Sequence, residues 1–334
     1  MKNWDGGGEC QWVDDERDAR RVAAKIGIPF YVMNFEKEYR KRVFDPFIEG
    51  IRQGITPNPD VFCNTHIKFG VFLERALSLG ADYVATGHYA KVKETGNWKL
   101  TYERSESAAK AGSENFHLLR AKDEQKDQTY FLYRLNQFQL SKTIFPIGNY
   151  LKSEVRAMAK EFGLPTYNKP DSQGICFVGQ APFAEFLSQF VASKEGAIVD
   201  KEGAILGKHQ GVSFYTIGQR KGMAVGGNEK PLFIARKDNK TNTLTVVSGD
   251  DASLYTKHIR ASDVHWIGGA PPKSMPIRCR ARFRHQQAFQ GAFVSTEPRR
   301  TVQISFSKPQ RAVTPGQSVV FYKGREALGG GIII

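Results

Sequence analysis

The chain has 334 residues, of which 40% are hydrophobic, and this is enough for two or three domains with their own cores. It contains no apolar run of about 18 residues and no Cys-x-x-Cys pair, which argues against a membrane span, a zinc ribbon and a disulfide-dense secreted scaffold. Lys and Arg outnumber Asp and Glu by 48 to 34, and the net charge of +14 suits a nucleic acid partner or a solvated basic face. Because the first residues carry no signal core, a cytoplasmic, reducing compartment is expected.

Hydrophobic periodicity in the first half of the chain predicts helices that alternate with strands. The predicted elements are a helix over 14–26, a buried strand over 30–33, a helix around 44–51, a helix over about 66–79 and a strand over 83–86. This alternation favours a parallel sheet with helices on its faces. Ligands of such sheets bind outside the carboxyl ends of the strands, where Gly87 and His88 are expected. A single histidine more often has only a structural role.

Between two of these helices lies the segment Thr56-Pro57-Asn58-Pro59-Asp60-Val61-Phe62-Cys63-Asn64. Its prolines flank Asn58 and disfavour helical geometry there, so the segment is predicted to be a rigid extended loop. The helix that follows would hold Asp60 and Cys63 near its N-terminus, where a thiolate is favoured. The alternative is a simple turn with Cys63 as a small buried apolar residue.

A second thiol lies in another polar, glycine-containing segment, Asp171-Ser172-Gln173-Gly174-Ile175-Cys176-Phe177. Two thiols in loops could meet across a cleft. The presence of Cys176 therefore favours chemistry at Cys63 over simple burial.

Beyond Cys176 the pattern changes to glycines and short alternating strands, as in the segment 211–222. Over residues 277–284, apolar residues alternate with arginines. A strand there would bury its apolar face and would carry four arginines on the opposite face: Arg278, Arg280, Arg282 and Arg284. Such a face suits a phosphate backbone, although a solvated strand face is the alternative. The predicted fold class is α/β, with a Rossmann-like parallel sheet followed by two small β-rich domains, the last a β-barrel.

Six motifs in this order give the chain a family resemblance. They are the segment from Asn58 to Asn64, Ala85-Thr86-Gly87-His88-Tyr89, Lys126-Asp127-Gln128, Gly174-Ile175-Cys176-Phe177, Gly218-Gln219-Arg220-Lys221-Gly222 and Thr314-Pro315-Gly316-Gln317-Ser318. Together they resemble those of the tRNA-specific 2-thiouridylases. The resemblance implies a catalytic domain of the ATP-pyrophosphatase type over 1–180, a central β-rich domain over 181–250 and a tRNA-binding β-barrel over 251–334.

The resemblance also implies an activity: O2 of the wobble uridine is activated with ATP and Mg²⁺ and then replaced by sulfur. Cys176 would receive sulfur as a persulfide from a sulfur-relay donor protein, and Cys63 would assist its transfer, with a disulfide between the two possible. Asp60 would be the acid/base residue. Met1 and Gly87 match positions beside the nucleotide, and no protein metal site is implied. The positions that match tRNA contacts are Asn58, Pro59, Asp60, His88, Lys126, Asp127, Gln128, Arg282, Phe283 and Gln317.

The sequence departs from the family pattern at one point, because it lacks the Ser-Gly-Gly-x-Asp-Ser loop with which such proteins cradle ATP phosphates. We therefore expect an N-terminally incomplete sheet and weak or absent ATP binding. The alternatives are a truncated fragment or a catalytically inactive tRNA-binding protein. An amide synthetase of the ATP-pyrophosphatase type is a third reading, but it gives the paired thiols no role.

Overall fold

The structure is a computed structural model that describes residues 1–4, 12–95, 116–170, 174–175, 177–178, 182–223, 225–226 and 230–334. The predicted site residue Cys176 lies outside the described residues, as do Cys10 and the stretch 171–173. In the described part of the chain, no helix is long and apolar enough to cross a membrane.

The N-terminal part is built mainly from helices and contains a short parallel sheet. Its helices are α1 (Trp12–Ile26), α2 (Glu36–Tyr39), α3 (Asp45–Arg52), α4 (Pro59–Phe62), α5 (Phe72–Ser78), α6 (Thr129–Leu132), α7 (Gln137–Ser141) and α8 (Lys152–Glu161). Its strands are β1 (Val84–Ala85), β2 (Ala90–Glu94), β3 (Phe116–Arg120) and β4 (Thr143–Ile144). Strands β1 and β4 pair in parallel.

Two long helical segments of this part are interrupted by wider π-helical turns. Residues Arg40–Phe44 join α2 to α3, and residues Cys63–Val71 join α4 to α5. The second segment is kinked at Gly70, whose φ of −103° and ψ of −107° are not helical. Such π-helical turns are rare and often mark functional sites.

The buried strand predicted over 30–33 is wrong. The described backbone there forms only an isolated parallel bridge between Lys2 and Asn34, and Tyr31 is 79% exposed. An apolar run becomes a strand only where a neighbour pairs with it, and in the described residues this stretch has a single bridge.

The central part follows helix α9 (Phe183–Ser188) and is a small four-stranded sheet. Its strands are β5 (Gly196–Val199), β6 (Ile205–His209), β7 (Leu232–Asp238) and β8 (Thr243–Ser248). They lie in the order β6-β5-β8-β7, with β5 parallel to β8 and the other pairs antiparallel.

The C-terminal part is a closed antiparallel barrel of six strands. They are β9 (Tyr255–Trp266), β10 (Ile277–Arg282), β11 (Gln290–Glu297), β12 (Thr301–Arg311), β13 (Ser318–Lys323) and β14 (Glu326–Ile333). The order β13-β10-β11-β12-β9-β14 closes because β13 also pairs with β14. Strands β2 and β3 extend this sheet through the pairing of Leu119 with Glu326, so the N-terminal part is joined to the barrel. The predicted α/β class with a terminal β-barrel is confirmed.

Two apolar clusters hold the three parts together. The first joins aromatic residues of the N-terminal part, such as Phe47, to Phe214 and Leu244 of the central part. The second joins the N-terminal part to barrel residues such as Tyr322. Within one helical segment, Cys63 belongs to the first cluster and Val61 to the second. This segment is therefore fixed between all three parts of the molecule.

Candidate active site

The segment around Asn58 is not the rigid extended loop that the sequence predicts, because a helix begins at Pro59. Asn58 is the N-cap residue, and its Oδ1 accepts hydrogen bonds from the backbone N–H groups of Asp60 (3.2 Å) and Val61 (3.3 Å). Proline suits the first helical position, since the N–H that it lacks would have no helical partner there. Asp60 and Cys63 thus lie within the first turns of the helix.

The loop before this helix is held by the barrel. The N–H of Thr56 donates to the carbonyl oxygen of Pro315 (3.0 Å), and Nε2 of Gln317 donates to the carbonyl oxygen of Thr56 (2.7 Å). Gly316 has φ +90°, and a Cβ there would lie 2.8 Å from the backbone nitrogen of Thr56. Glycine is therefore required at this close approach of two backbones.

A cavity of about 300 Å³ opens where the three parts of the molecule meet, and we call it the junction cavity. Its walls come from the N-terminal part, the central part and the barrel: Phe47, Ile51, Thr56, Pro57, Asn58, Pro59, Asp60, Ile175, Phe183, Ser213, Phe214, Thr216 and Gln317. Burial raises the pKa of the Asp60 carboxyl, and the nearby charge of Lys68 partly offsets this rise. The junction cavity therefore offers a carboxyl group whose proton is held more tightly than usual.

Cys63 lies one helical turn after Asp60 and is buried, with 7% of its surface exposed. Near Cys176, the described residue Ile175 lines the junction cavity, and the ring of Phe177 packs 5.3 Å from that of Phe47. Phe177 and Cys63 belong to the same apolar cluster.

A second cavity, of about 290 Å³, lies at the carboxyl end of β1, and we call it the strand-end cavity. It is lined by Met1, Lys68, Phe72, Thr86, Gly87, His88 and Gln128. A Cβ on Gly87 would meet no atom within 4 Å, so the backbone there faces open space. The expected position of Gly87 and His88 at a strand end is confirmed.

His88 is buried and its two ring nitrogens contact three polar side chains. Nδ2 of Asn64 donates to the carbonyl oxygen of Phe131 (3.4 Å), which leaves Oδ1 of Asn64 facing Nε2 of His88 at 3.1 Å. The hydroxyl of Thr86 lies 2.8 Å from Nδ1 of His88, within hydrogen-bonding distance. Burial and the charge of Lys68, whose Nζ is 3.5 Å from Nε2, lower the pKa of His88 to about 3.

Other predicted tRNA-contacting residues are buried between the N-terminal part and the barrel. Asp127 pairs with Arg282 at 2.5 Å and accepts a hydrogen bond from the hydroxyl of Thr129 at 2.9 Å. Arg282 and Phe283 are 3% and 1% exposed, so the prediction that Arg282 lies on an open basic face is wrong. The N-terminal part covers this end of the strand, whereas Arg278 and Arg280 remain exposed.

Apart from the two cysteines, the predicted site residues fall into three groups. Asn58, Pro59, Asp60 and Gln317 line the junction cavity, and Met1, Gly87, His88 and Gln128 line the strand-end cavity. Asp127, Arg282 and Phe283 are buried outside both linings, and Lys126, which is half-buried, also lines neither.

Lys68 and Phe72 also line the strand-end cavity, and the sequence did not point to them. The available signal was their position on the same helical segment as Asp60, eight and twelve residues further on. In the described residues, no group of three or more His, Cys, Asp or Glu side chains is arranged to hold a metal ion.

Three family models match the chain. The tRNA methyl transferase HUP domain matches residues 1–180, the tRNA methyl transferase PRC-barrel domain matches 184–248, and the aminomethyltransferase beta-barrel domain matches 256–333.

Similar proteins match over the whole chain. It is 48% identical over 342 aligned residues to the tRNA-specific 2-thiouridylase MnmA of Enterococcus faecalis, a match that covers 100% of this chain and 87% of that protein. It is 46% identical to the proteins of the same name from Geobacillus thermodenitrificans and Alkaliphilus oremlandii, again over 100% of this chain and over 86% and 88% of theirs. With this identity over its full length, the chain belongs to the tRNA-specific 2-thiouridylase family.

Proposed function

We propose that the chain replaces O2 of the wobble uridine in tRNA with sulfur, as a tRNA-uridine 2-sulfurtransferase. The observation that carries this proposal is the capped helix at Pro59, which brings Asp60 to the junction cavity and Cys63 into the adjacent cluster. Membership in the 2-thiouridylase family favours this enzyme over an inactive tRNA-binding protein.

The junction cavity is the proposed site of the target base. Asn58, Pro59, Asp60 and Gln317 would contact the uracil ring, and the mixture of aromatic and polar walls suits a flat base. Asp60 would exchange a proton with the base during activation of O2. The raised pKa of Asp60 supports this acid/base role.

The strand-end cavity is the proposed site of ATP, which supplies the leaving group. Open space at Gly87 would let a purine ring approach the backbone, and Phe72 offers an apolar wall. Lys68 would counter the charge of a phosphate, and Mg²⁺ would enter with the phosphates. These residues fit a nucleotide and support ATP use, while the weak ATP binding expected from the missing Ser-Gly-Gly-x-Asp-Ser loop stays a prediction.

The proposed reaction has three steps: activation of O2, attack by the persulfide sulfur and release of the thiolated base. O2 of the uridine attacks the α-phosphorus of ATP, and pyrophosphate leaves. The terminal sulfur of a Cys176 persulfide attacks C2, and the former O2 leaves with AMP. The Cys63 thiolate then attacks the Cys176 sulfur, which releases 2-thiouridine and leaves a Cys63–Cys176 disulfide to be reduced before the next turnover.

The remaining roles are proposed on the same basis. A sulfur-relay donor protein would load Cys176, and the tRNA would contact positions that include His88, Lys126 and Gln128. Asp127, Arg282 and Phe283 are buried and would instead hold the barrel against the N-terminal part beside these contacts. Catalysis would belong to a domain over 1–180, and tRNA binding to the barrel over 251–334, with a central domain over 181–250.

Labelled sulfur tests this function directly. The chain would be loaded with a radioactive persulfide at Cys176 and incubated with tRNA and ATP, and label in the tRNA would be counted. We expect free labelled tRNA with the original chain and no loading of the Cys176→Ser variant. Cys63→Ser should load the label but hold it in a covalent Cys176–tRNA adduct, without releasing free labelled tRNA. Unchanged transfer by both variants would refute the proposed roles of the cysteines.

A further inference from the structure

One sequence motif has no role in the chemistry above, the loop Gly218-Gln219-Arg220-Lys221-Gly222 of the central part. Its shape is fixed by the side chain of Gln219, whose Oε1 accepts from the N–H of Thr216 (3.0 Å) and whose Nε2 donates to the carbonyl oxygen of Lys221 (2.9 Å). Backbone hydrogen bonds also join both Gly218 and Gln219 to Ile234 on β7. The loop is therefore held rigidly to the sheet.

The loop packs directly against the barrel. A Cβ on Gly218, which has φ +84°, would lie 2.5 Å from Cβ of Ala312, so only glycine fits this contact. The same position is 3.8 Å from Nη2 of Arg284, and Arg284 donates a hydrogen bond to the carbonyl oxygen of Ala312. Arg284 thus lies between the loop and the barrel.

Among the described residues, the charged side chains that we identify at this contact are all positive. Arg220, Lys221 and Arg284 are exposed, and none of them, nor Arg311, forms a salt bridge with a carboxylate of a described residue. The neighbouring charge of Arg311 adds to burial in lowering the pKa of Arg284. Arg284 and Arg311 are close enough for the charge of one to act on the other, and such like charges repel each other unless an anion lies between them. Arg220 and Lys221 follow Gly218 in the same rigid loop, so all four cations belong to this contact.

This cluster adjoins the junction cavity from both sides of the contact. On the loop side, Thr216, whose N–H is bonded to the side chain of Gln219, lines the cavity. On the barrel side, Gln317, five residues after Ala312, also lines it. An anion bound by the loop would therefore lie near whatever occupies the cavity.

We propose that the loop 218–222, with Arg284 and Arg311, binds backbone phosphate of the tRNA next to the target base. The inference rests on the proposed function, since the polyanion is the tRNA substrate. The loop would fix the strand on which the base is turned into the junction cavity. Arg220 and Lys221 supply the charge, and Gln219 holds their backbone in place.

Binding of the unmodified substrate tRNA by fluorescence anisotropy, as a function of salt, tests this inference. The variants are Arg220→Ala and Lys221→Ala, whose side chains form no ion pair with any residue in the described part of the chain. The matched control is Lys240→Ala, an exposed lysine in the turn after β7, roughly 20 Å along the strand from Ile234. Thermal melting of all variants checks that they remain folded.

We expect each loop variant to bind tRNA roughly two- to fivefold more weakly and to lower the slope of log affinity against log salt by about 0.7–0.9. Lys240→Ala should match the original chain in both. Equal affinities and slopes for all variants, with tRNA bound and thiolated normally, would overturn the loop inference alone. Failure of the original chain to bind or thiolate tRNA would instead refute the proposed function.

Discussion

Asp127 of the N-terminal part and Arg282 of the barrel form an ion pair in which Oδ2 and Nη2 are 2.5 Å apart and both side chains are almost fully buried. The hydroxyl of Tyr322 lies 3.3 Å from the same guanidinium nitrogen, and the guanidinium packs 4.8 Å from the ring of Phe289. The pair connects two parts of the molecule that are far apart in sequence. Its first role is therefore structural.

Replacing Arg282 with Met should destabilise the chain strongly, because the buried carboxylate of Asp127 would lose its main partner. The expected loss in the free energy of unfolding is about 3 kcal/mol, measured by urea denaturation. This is the lower end for a broken buried pair, because Nε of Arg120 remains 3.6 Å from Oδ2 of Asp127. Arg280→Met is the matched control on the same strand; since Arg280 is exposed, its loss should cost less than about 1 kcal/mol. Weaker tRNA binding by Arg282→Met with unchanged stability would contradict the structural role.

The N-cap at Asn58 gives a second prediction. Asn58→Ala removes the acceptor for two backbone N–H groups and should lower the free energy of unfolding by about 1 kcal/mol. Asn58→Ser retains a capping oxygen and should recover most of this loss. Equal unfolding energies for the Ala and Ser variants would mean that the cap does not stabilise the helix.

The neutral, buried His88 makes stability depend on pH. Its pKa is about 3 in the folded chain and near the ordinary 6.5 when unfolded, so between these values the unfolded state binds the extra proton. The His88 contribution is complete above pH 6.5 and is lost as pH falls below it, by at most about 1.4 kcal/mol per pH unit.

Urea denaturation at several pH values between 7.5 and 5 measures this effect. The original chain should lose stability more steeply on acidification than His88→Asn, which has no titrating ring. The comparison isolates His88 from other histidines such as the half-buried His285, whose pKa is lowered to about 4 chiefly by burial. Parallel pH profiles for the two proteins would contradict the assigned neutral state.

Lys68 links the two cavities electrostatically, because its charge lowers the pKa of Asp60 while its side chain lines the strand-end cavity. Lys68→Met should therefore raise the pKa of Asp60. If Asp60 must lose its proton during catalysis, the acidic limb of the single-turnover thiolation rate should move to higher pH at saturating ATP. Lys240→Met should leave the limb in place, and an unmoved limb in Lys68→Met would argue against Asp60 as the base.

Much of the local fold is predictable from the sequence. Apolar spacing predicts the helix that the structure has at Trp12–Ile26, and the strand before Gly87 is present as Val84–Ala85. This helix and this strand can be predicted because their hydrophobic patterns involve residues close together in the sequence. The segment at 30–33 has an equally apolar pattern but has little pairing in the described residues, and pairing depends on distant parts of the chain.

The candidate site likewise contains features that follow from nearby residues and features that depend on distant contacts. Two prolines around Asn58 suggest an extended loop, yet one proline at the first helical position and one capping side chain start a helix instead. The alternation of apolar residues and arginines over 277–284 cannot reveal that the N-terminal part covers Arg282. This burial depends on the contact with Asp127, which is 155 residues away in sequence. Lys68 was missed for the same reason, since only the folded helix brings it to the strand-end cavity.

The most direct test of the central claim is nucleoside analysis by mass spectrometry of tRNA incubated with the chain, a persulfide source and ATP. The account predicts 2-thiouridine in place of uridine at the wobble position, and none when ATP is omitted or Cys176 is replaced by Ser. Unmodified uridine in every reaction, from a chain that binds the same tRNA tightly, would contradict the account and identify a tRNA-binding protein without sulfur transfer.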